Sequence, residues 1–164
     1  MNRVIVSDTG PLIALALLNL LPVLPKLFAS VYVPDGVITE ATQDEKKPGA
    51  RAIRQALESG LLLQKSVNLT PAFRDLIAIL DLGEAEALAL AKDLGAVALV
   101  DERRGRKVAT KHGITVTGTA AVLVKAKKAG EIAAVKPLLD KLTQAGYRLS
   151  PSLTSEILKI CGEP

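Results

Sequence analysis

Two stretches of the chain carry a short apolar run that ends on an aspartate. Val4–Ser7 leads into Asp8, and Ala96–Val100 leads into Asp101. Short β-branched apolar runs of this kind are typical of buried strands. Ligands of an open α/β sheet bind beyond the carboxyl ends of its strands, so neighbouring strands would bring both carboxylates to one crevice. Paired carboxylates there predict a divalent metal site or acid/base chemistry.

Two glutamates between these aspartates are further candidates. Glu40 falls three residues after Val37 in a predicted helix, which puts it on the same side as the apolar positions. Glu84 opens an alanine-rich helix directly after a glycine. Glu86 is the lesser candidate, because two positions further along a helix a side chain points elsewhere.

Each of these acids also has an ordinary structural interpretation. Asp8 and Asp101 each precede a predicted helix, where aspartate is a favoured N-cap, although Thr9 or Gly10 could cap the helix after Asp8 and Glu102 could share the role after Asp101. Asp81 and Glu84 have the spacing of a capping box. Glu40 can be a boundary residue whose carboxylate stays in water. The residues alone therefore leave both interpretations open.

Most other chemistries find little support in the sequence. His112 is the only histidine, it precedes a glycine at a predicted helix end, and Cys161 is the only cysteine. No phosphate-binding Gly-rich fingerprint occurs. Asp8-Thr9-Gly10 matches the triplet of aspartic proteases, but those enzymes are all-β. A haloacid-dehalogenase-type phosphatase would need an aspartate where Gly10 stands. Carboxylates and hydroxyls remain as the reactive groups.

The net charge of +4 is concentrated behind Asp101. Between Asp101 and Lys128 the chain has eight basic and only two acidic residues. A localised basic segment predicts a polyanionic partner, and a solvated helix face is the alternative. Only two Phe, two Tyr and no Trp are present, which disfavours modules that stack nucleobases on aromatic side chains.

The pattern of apolar runs and glycine or proline breaks predicts alternating strands and helices. Strands are predicted near 3–7, 31–33, 61–67, 96–100 and 114–117, and helices near 11–20, 35–42, 50–59, 71–80, 84–94, 102–111, 119–129, 134–145 and 152–160. Asp35 is predicted to be the N-cap of the second helix. This alternation favours a largely parallel sheet covered on both faces, in one domain over 1–164.

The apolar stretch from Thr9 to Pro25 has the minimum length of a membrane span. Its prolines and Asn19 interrupt it, and no signal-peptide pattern precedes it, so we expect no membrane segment and a cytoplasmic protein. The helix from Leu12 to Leu21 is more apolar than a solvent-facing helix needs to be. It predicts a homodimer, or else burial against the chain's own core, which is slightly favoured.

Five segments, in order, resemble the PIN-domain nucleases, in particular a small prokaryotic branch of PIN-like nucleic-acid-binding proteins. The segments are Val6–Ile13, Val33–Glu40, Leu82–Ala87, Leu99–Arg106 and Thr117–Thr119. The resemblance covers about residues 3 to 130. The residues after about 131 match no known motif and are expected to form a C-terminal helical extension of the same domain.

The resemblance implies a Rossmann-like three-layer α/β/α fold with a central, mostly parallel sheet. It implies Asp8, Glu40, Glu84 and Asp101 as catalytic acids and as ligands of one or two Mg²⁺ or Mn²⁺ ions, with Thr119 as an accessory hydroxyl. The third acid of the family is often an aspartate, whereas Glu84 has a longer side chain. Many members also carry Asn or Ser soon after the first acid, where this chain has Gly10-Pro11.

The function that follows is a metal-dependent endoribonuclease acting on RNA or other single-stranded nucleic acid. The phosphate backbone would be held by the basic residues after Asp101, namely Arg103, Arg104, Arg106 and Lys107. The resemblance also suggests the toxin of a toxin–antitoxin pair, with an antitoxin protein as partner. The alternatives are a non-catalytic module that binds nucleic acid or docks a partner, and a small-molecule phosphatase or other metal hydrolase.

Overall fold

A five-stranded, all-parallel sheet forms the centre of the protein, for which a computed structural model describes residues 3–164. The strands are β1 (Val4–Ser7), β2 (Ser30–Pro34), β3 (Leu63–Lys65), β4 (Val97–Leu99) and β5 (Val116–Thr117). Their order is β3-β2-β1-β4-β5, and Val6 of β1 lies opposite Ala98 of β4. The two strands that lead into Asp8 and Asp101 are therefore neighbours, as the sequence predicts.

Helices cover both faces of the sheet and give the expected three-layer α/β/α fold. They are α1 (Thr9–Leu17), α2 (Leu24–Leu27), α3 (Asp35–Thr42), α4 (Ala50–Glu58), α5 (Pro71–Ile77), α6 (Leu82–Leu94), α7 (Arg103–Lys111), α8 (Thr119–Lys128), α9 (Lys136–Gln144) and α10 (Pro151–Ile160), with a 3-10 turn at Leu21–Val23. Successive strand residues point to opposite faces, so Ile5 enters one apolar cluster and Val6 the other. Buried residues of α1, α8 and α9 belong to the first cluster, and those of α5 and α6 to the second.

The start of α3 differs from the sequence-based prediction by one residue. Pro34 occupies the N-cap position, and Asp35 lies in the first turn without capping the helix. The Asp35 carboxylate instead accepts hydrogen bonds from the side chains of Gln64 at 2.8 Å and Ser66 at 2.7 Å. These two bonds lower its pKa. The reason is the pairing of β2 with β3, which brings residues 64–66 beside Asp35.

The apolar N-terminal stretch is accounted for by burial in the chain's own core. Leu12 and Leu15 of α1 have no exposed surface, and Leu18 is also buried. In residues 3–164 no single helix is long and apolar enough to cross a membrane; α1 and the segment 21–27 reach that length only as a pair bent by 105°. The apolar character of α1 therefore no longer indicates a homodimer, which stays a prediction.

The end of the chain is fastened to α8 and α9 by one carboxylate. Glu163 accepts hydrogen bonds from Lys127 Nζ at 2.7 Å and from the backbone N–H groups of Val135 at 2.8 Å and Lys136 at 3.0 Å. The Lys127 bond, together with the two backbone bonds, lowers the pKa of Glu163 to about 2. Leu139 of α9 packs in the same apolar cluster as β1, so the C-terminal extension packs onto the main core.

Candidate functional site

A cleft with a volume of about 400 Å³ lies at the carboxyl ends of β1 and β4. All four acids predicted from the sequence line it, and two further acids join them. We call it the acidic cleft, with carboxylates from Asp8, Glu40, Asp81, Glu84, Asp101 and Glu102. The strand order explains why residues so distant in sequence meet here, because β1 and β4 are adjacent at the centre of the sheet.

Asp8 is the most buried of these carboxylates, with 7% of its surface exposed. One carboxylate oxygen accepts the backbone N–H of Thr9 at 2.8 Å, so Asp8 does cap α1 as its structural interpretation predicts. Burial raises the pKa of Asp8 to about 6 against the pull of the Thr9 bond, and the carboxylates of Asp81, Glu40 and Glu102 add to the increase. Capping and a role in the cleft are therefore compatible.

The capping box predicted for Asp81 and Glu84 is only half formed. Asp81 accepts the backbone N–H of Glu84 at 2.9 Å and caps α6, but within residues 3–164 the Glu84 carboxylate makes no return bond to Asp81. The Glu84 side chain lines the cleft instead. Partial burial raises its pKa to about 8, with further contributions from Asp81, Asp8 and Glu102. Partial burial and the neighbouring carboxylates thus disfavour the ionised form of Glu84.

Asp101 binds the first residue of α8 and does not cap the helix that follows it. Glu102, the alternative N-cap in the sequence, occupies the N-cap position of α7, so the N-cap interpretation of Asp101 there is wrong. Asp101 instead accepts the backbone N–H of Thr119 at 2.8 Å and its hydroxyl at 2.6 Å. Because β4 and β5 are parallel neighbours, the residues that follow each strand meet at the same edge. The predicted accessory hydroxyl of Thr119 therefore touches one of the predicted acids.

Glu40 is exposed, in agreement with a boundary glutamate, and it also faces the cleft. Its carboxylate accepts the Thr9 hydroxyl at 3.0 Å. A Cβ atom added at Gly83 would lie 3.0 Å from the same carboxylate oxygen. The glycine before Glu84 thus lets the start of α6 approach α3 closely.

Glu86, the lesser candidate, has a structural role. It is buried, and its carboxylate accepts the backbone N–H of Gly36 at 3.0 Å in the first turn of α3. A negative charge at this end of a helix is favourable, because the first N–H groups have no partner within the helix. Glu86 does not line the acidic cleft.

The four predicted phosphate-binding residues divide into two groups. Arg104 donates to the carbonyl of Ile79 at 2.6 Å, and Arg106 donates to the carbonyl of Val100 at 2.9 Å, so both hold backbone near the cleft. Arg103 and Lys107 are exposed on α7. We call the shallow surface beside them the basic depression, which is lined by Asp101, Arg103, Arg106, Lys107, Thr110, Lys111 and Val116. Asp101 belongs to both the basic depression and the acidic cleft.

The sequence gives no indication that the loop between α9 and α10 reaches the cleft. Tyr147 and Arg148 line it, and the Tyr147 hydroxyl donates to the carbonyl of Gly10 at the start of α1. Burial raises the pKa of Tyr147 to about 12, with smaller contributions from Asp101 and Asp8, so the hydroxyl remains a donor. No local motif distinguishes these two residues, because only the packing of α9 and α10 brings them to the cleft.

The side chains suit a divalent cation but do not form the four-carboxylate coordination sphere predicted from the sequence. In residues 3–164 no three Asp, Glu, His or Cys side chains are grouped closely enough to hold a metal ion. Asp8 accepts the Thr9 N–H, Glu40 accepts the Thr9 hydroxyl and Asp101 accepts the Thr119 hydroxyl, so each of the three carboxylates has its own donor. Mg²⁺ commonly binds through one or two carboxylates and keeps several waters, and hard oxygen donors with raised pKa values fit such a site.

Comparison with known proteins supports a family assignment. No curated protein matches the chain. A solved domain of a functionally unknown protein from Methanocaldococcus jannaschii is similar, with 14% identity, a TM-score of 0.44, and coverage of 71% of this chain and 90% of that one. A family model described as a PIN domain matches residues 4–163. The match confirms the resemblance seen in the five segments and extends through the C-terminal helices. The chain belongs to the PIN-domain family.

Proposed function

We propose that the protein is a metal-dependent endoribonuclease whose reaction takes place in the acidic cleft. PIN domains are in general nucleases, interact with nucleic acids and usually use divalent metal ions. The observation that carries the proposal is the convergence of six carboxylates in one cleft at the carboxyl ends of β1 and β4, where burial raises the pKa of Asp8 to about 6 and that of Glu84 to about 8. Perturbed carboxylates that converge in a cleft are typical of functional sites.

The charges of the cleft explain why a cation is needed. Six carboxylates would repel the phosphates of RNA, and burial together with repulsion by neighbouring carboxylates already disfavours the ionised forms of Asp8 and Glu84. A divalent cation reverses both effects, because it stabilises the ionised carboxylates and attracts phosphate. Mg²⁺ or Mn²⁺ is the proposed cofactor, since carboxylate oxygens are hard ligands.

Asp8 and Glu84 are the proposed metal-binding carboxylates, because a bound cation would offset the burial and repulsion that raise their pKa values. Asp101, held by both groups of Thr119, and Glu40, held by Thr9, would orient water or a further metal contact. A bound metal would lower the pKa of a water molecule and neutralise charge that develops on the phosphate.

The basic depression supports RNA as the substrate. Arg103 and Lys107 are exposed on α7 and line this depression, which borders the acidic cleft at Asp101. Contacts from such side chains to phosphates do not depend on the base sequence and weaken with salt. Arg104 and Arg106, which hold backbone carbonyls, would act mainly by fixing the position of α7.

The central experiment is an RNA cleavage assay over a broad substrate panel with Mg²⁺, Mn²⁺ or EDTA. We expect cleavage with metal, none with EDTA, and none with Asp8→Asn, which retains an N-cap residue for α1. Asp93→Asn, which changes an exposed carboxylate on α6, is the matched control and should leave cleavage intact. No cleavage by the wild-type chain with either metal would refute the proposal.

A non-catalytic nucleic-acid-binding module is the second candidate, and one observation favours it. The described carboxylates include no group of three ready to hold a metal. RNA binding that does not respond to Mg²⁺, Mn²⁺ or EDTA, with no cleavage over the panel, would support this candidate over the nuclease.

The proposed biological setting is the cytoplasm, as the toxin of a toxin–antitoxin pair. Its support is the resemblance of the five segments to the toxin-like branch of the family. Induced expression in a bacterial host should arrest growth for the wild-type chain and not for Asp8→Asn at equal protein level. Normal growth at a high level of active nuclease would contradict the toxin role.

A further inference from the structure

Arg148 is the one basic residue among the described residues that line the acidic cleft. It lies in the loop that joins α9 to α10, outside the segments that carry the family resemblance. Its side chain is exposed, and none of the ion pairs or side-chain hydrogen bonds within residues 3–164 involves it. An arginine beside six carboxylates that pairs with none of them is available for an anionic ligand.

The backbone around Arg148 is held in place. The hydroxyl of Tyr147 donates to the carbonyl of Gly10, and the backbone N–H of Tyr147 donates to the carbonyl of Leu142 at 2.9 Å. Gly146 has a φ of 97°, a left-handed conformation that glycine adopts without strain and that lets the chain turn after α9. Arg148 is therefore presented from a fixed turn.

Asp101 lies where the cationic surfaces meet. It lines the acidic cleft with Arg148 and the basic depression with Arg103 and Lys107. A third cavity, of about 700 Å³ and bordered by α8 and α10, also contains both Asp101 and Arg148. Asp101 thus borders cavities that are lined by cations from two separate elements, α7 and the α9–α10 loop.

We propose that Arg148 binds a backbone phosphate of single-stranded RNA next to the phosphate at the carboxylates. This inference rests on the proposed function and adds a substrate-binding residue to it. A strand that enters an acidic cleft needs cations close to the carboxylates, and arginine offers two parallel N–H donors to one phosphate. Arg148 and the residues of the basic depression would then contact different phosphates of one strand.

The test measures binding of a fluorescein-labelled oligouridylate by anisotropy, at several salt concentrations, in Ca²⁺, a divalent cation that also binds carboxylate oxygens. Arg148→Ala should weaken binding about tenfold at low salt, as expected for loss of a charged hydrogen bond. It should also lower the slope of log K against log salt by about 0.7, the value for one phosphate on a single strand. Arg148→Lys should retain most of the slope. Arg51→Ala, which removes an exposed arginine of α4, is the matched control and should change neither quantity.

The outcomes separate this inference from the proposed function. A reduced slope in a protein that shows no cleavage would support Arg148 and refute the nuclease. An unchanged slope and KM for Arg148→Ala in a protein that cleaves RNA would overturn the inference and leave the nuclease standing. In the active enzyme we expect a raised KM with kcat changed by less than about twofold, the result of losing uniform binding. The melting temperature should change little, because the Arg148 side chain makes no ion pair or side-chain hydrogen bond within residues 3–164.

Discussion

The backbone N–H of Asp8 donates to the carbonyl oxygen of Leu99 at 3.0 Å. This bond continues the β1–β4 ladder to its last position, two residues before Asp101. Backbone pairing between β1 and β4 therefore fixes the positions from which the side chains of Asp8 and Asp101 extend into the cleft. It also explains why Asp8 is buried, since its main chain is still part of the sheet when its side chain reaches the cleft.

Asp8→Asn should stabilise the protein at pH 8. The folded-state pKa of Asp8 is about 6, above its ordinary value of 3.8, so the folded chain holds this proton more tightly than the unfolded chain. The free energy of unfolding therefore falls as the pH rises from about 4 to 6 and stays lower above. Asn removes the buried charge and retains the cap, so we expect a gain of about 1 to 3 kcal/mol at pH 8 in urea unfolding. Asp93→Asn should give no gain, and a loss of stability for Asp8→Asn would contradict this explanation.

Mg²⁺ should stabilise the wild-type protein more at pH 8 than at pH 5. Protons and the metal compete for the same carboxylates, and Asp8 and Glu84 ionise near pH 6 and pH 8. At saturating metal we expect about 1 to 3 kcal/mol at pH 8, measured as a shift in thermal unfolding. The shift should disappear in Asp8→Asn. An equal shift in that variant would place the metal elsewhere on the protein.

Glu84→Ala and Glu86→Ala should have opposite consequences. Glu86 is buried and accepts the N–H of Gly36, so its loss leaves a donor of α3 without a partner and should cost about 1 to 3 kcal/mol of stability. Glu84 makes no such bond, and its removal relieves repulsion in the cleft. We expect Glu84→Ala to fold at least as stably as the wild type and to lose cleavage. Urea unfolding and RNA cleavage of the two variants identify which of the two glutamates is needed for the reaction. Retained cleavage in Glu84→Ala would show that Glu84 has no part in the reaction.

Thr119→Val should weaken the site through Asp101. The variant loses the 2.6 Å hydroxyl bond and retains the 2.8 Å backbone bond, so Asp101 loses one of its two donors within residues 3–164. Loss of a bond that orients a metal-site carboxylate typically reduces metal affinity or activity by about 10- to 100-fold. Thr119→Ser should restore most of the activity measured under saturating RNA. Equal activity in the Val and Ser variants would show that the hydroxyl is not needed.

Glu163→Gln should lower the melting temperature at neutral pH. The folded pKa of Glu163 is about 2, below the ordinary 4.5, so its stabilising contribution is present above about 4.5 and is lost as the pH falls towards 2. The difference in melting temperature between the variant and the wild type should therefore shrink in acid. Glu156→Gln, on the exposed side of α10, is the control and should show no such difference.

The alternation of strands and helices was predictable because its signals are local. Apolar periodicity marks the elements, and a glycine such as Gly95, at a φ of 61°, closes α6 where the sequence indicates an end. Asp8 could be assigned to the cleft edge for the same reason, since a strand end is a local feature. The position of Asp35 could not, because its carboxylate is bound by residues of the next strand.

The partners of the candidate site residues were beyond local reasoning. One sequence-based interpretation of Asp101 was a cap for the helix that follows it. Because β4 and β5 are adjacent, Asp101 instead accepts a hydrogen bond from the Thr119 hydroxyl. Tyr147 and Arg148 were missed because their place beside Gly10 depends on how α9 and α10 pack. Sequence patterns thus identified which acids could converge and could not assign the donors that hold each one.

The central position of β1 in the sheet also fixes the time at which the site can form during synthesis. Ile5 pairs with Val31 on one side and with Val97 on the other. A nascent chain that has emerged only as far as α6 already carries Asp8, Glu40 and Glu84, yet it lacks the strand that orders the end of β1. Thr119 and the 145–150 loop emerge later still. The cleft is therefore incomplete until residues 145–150 have left the exit tunnel.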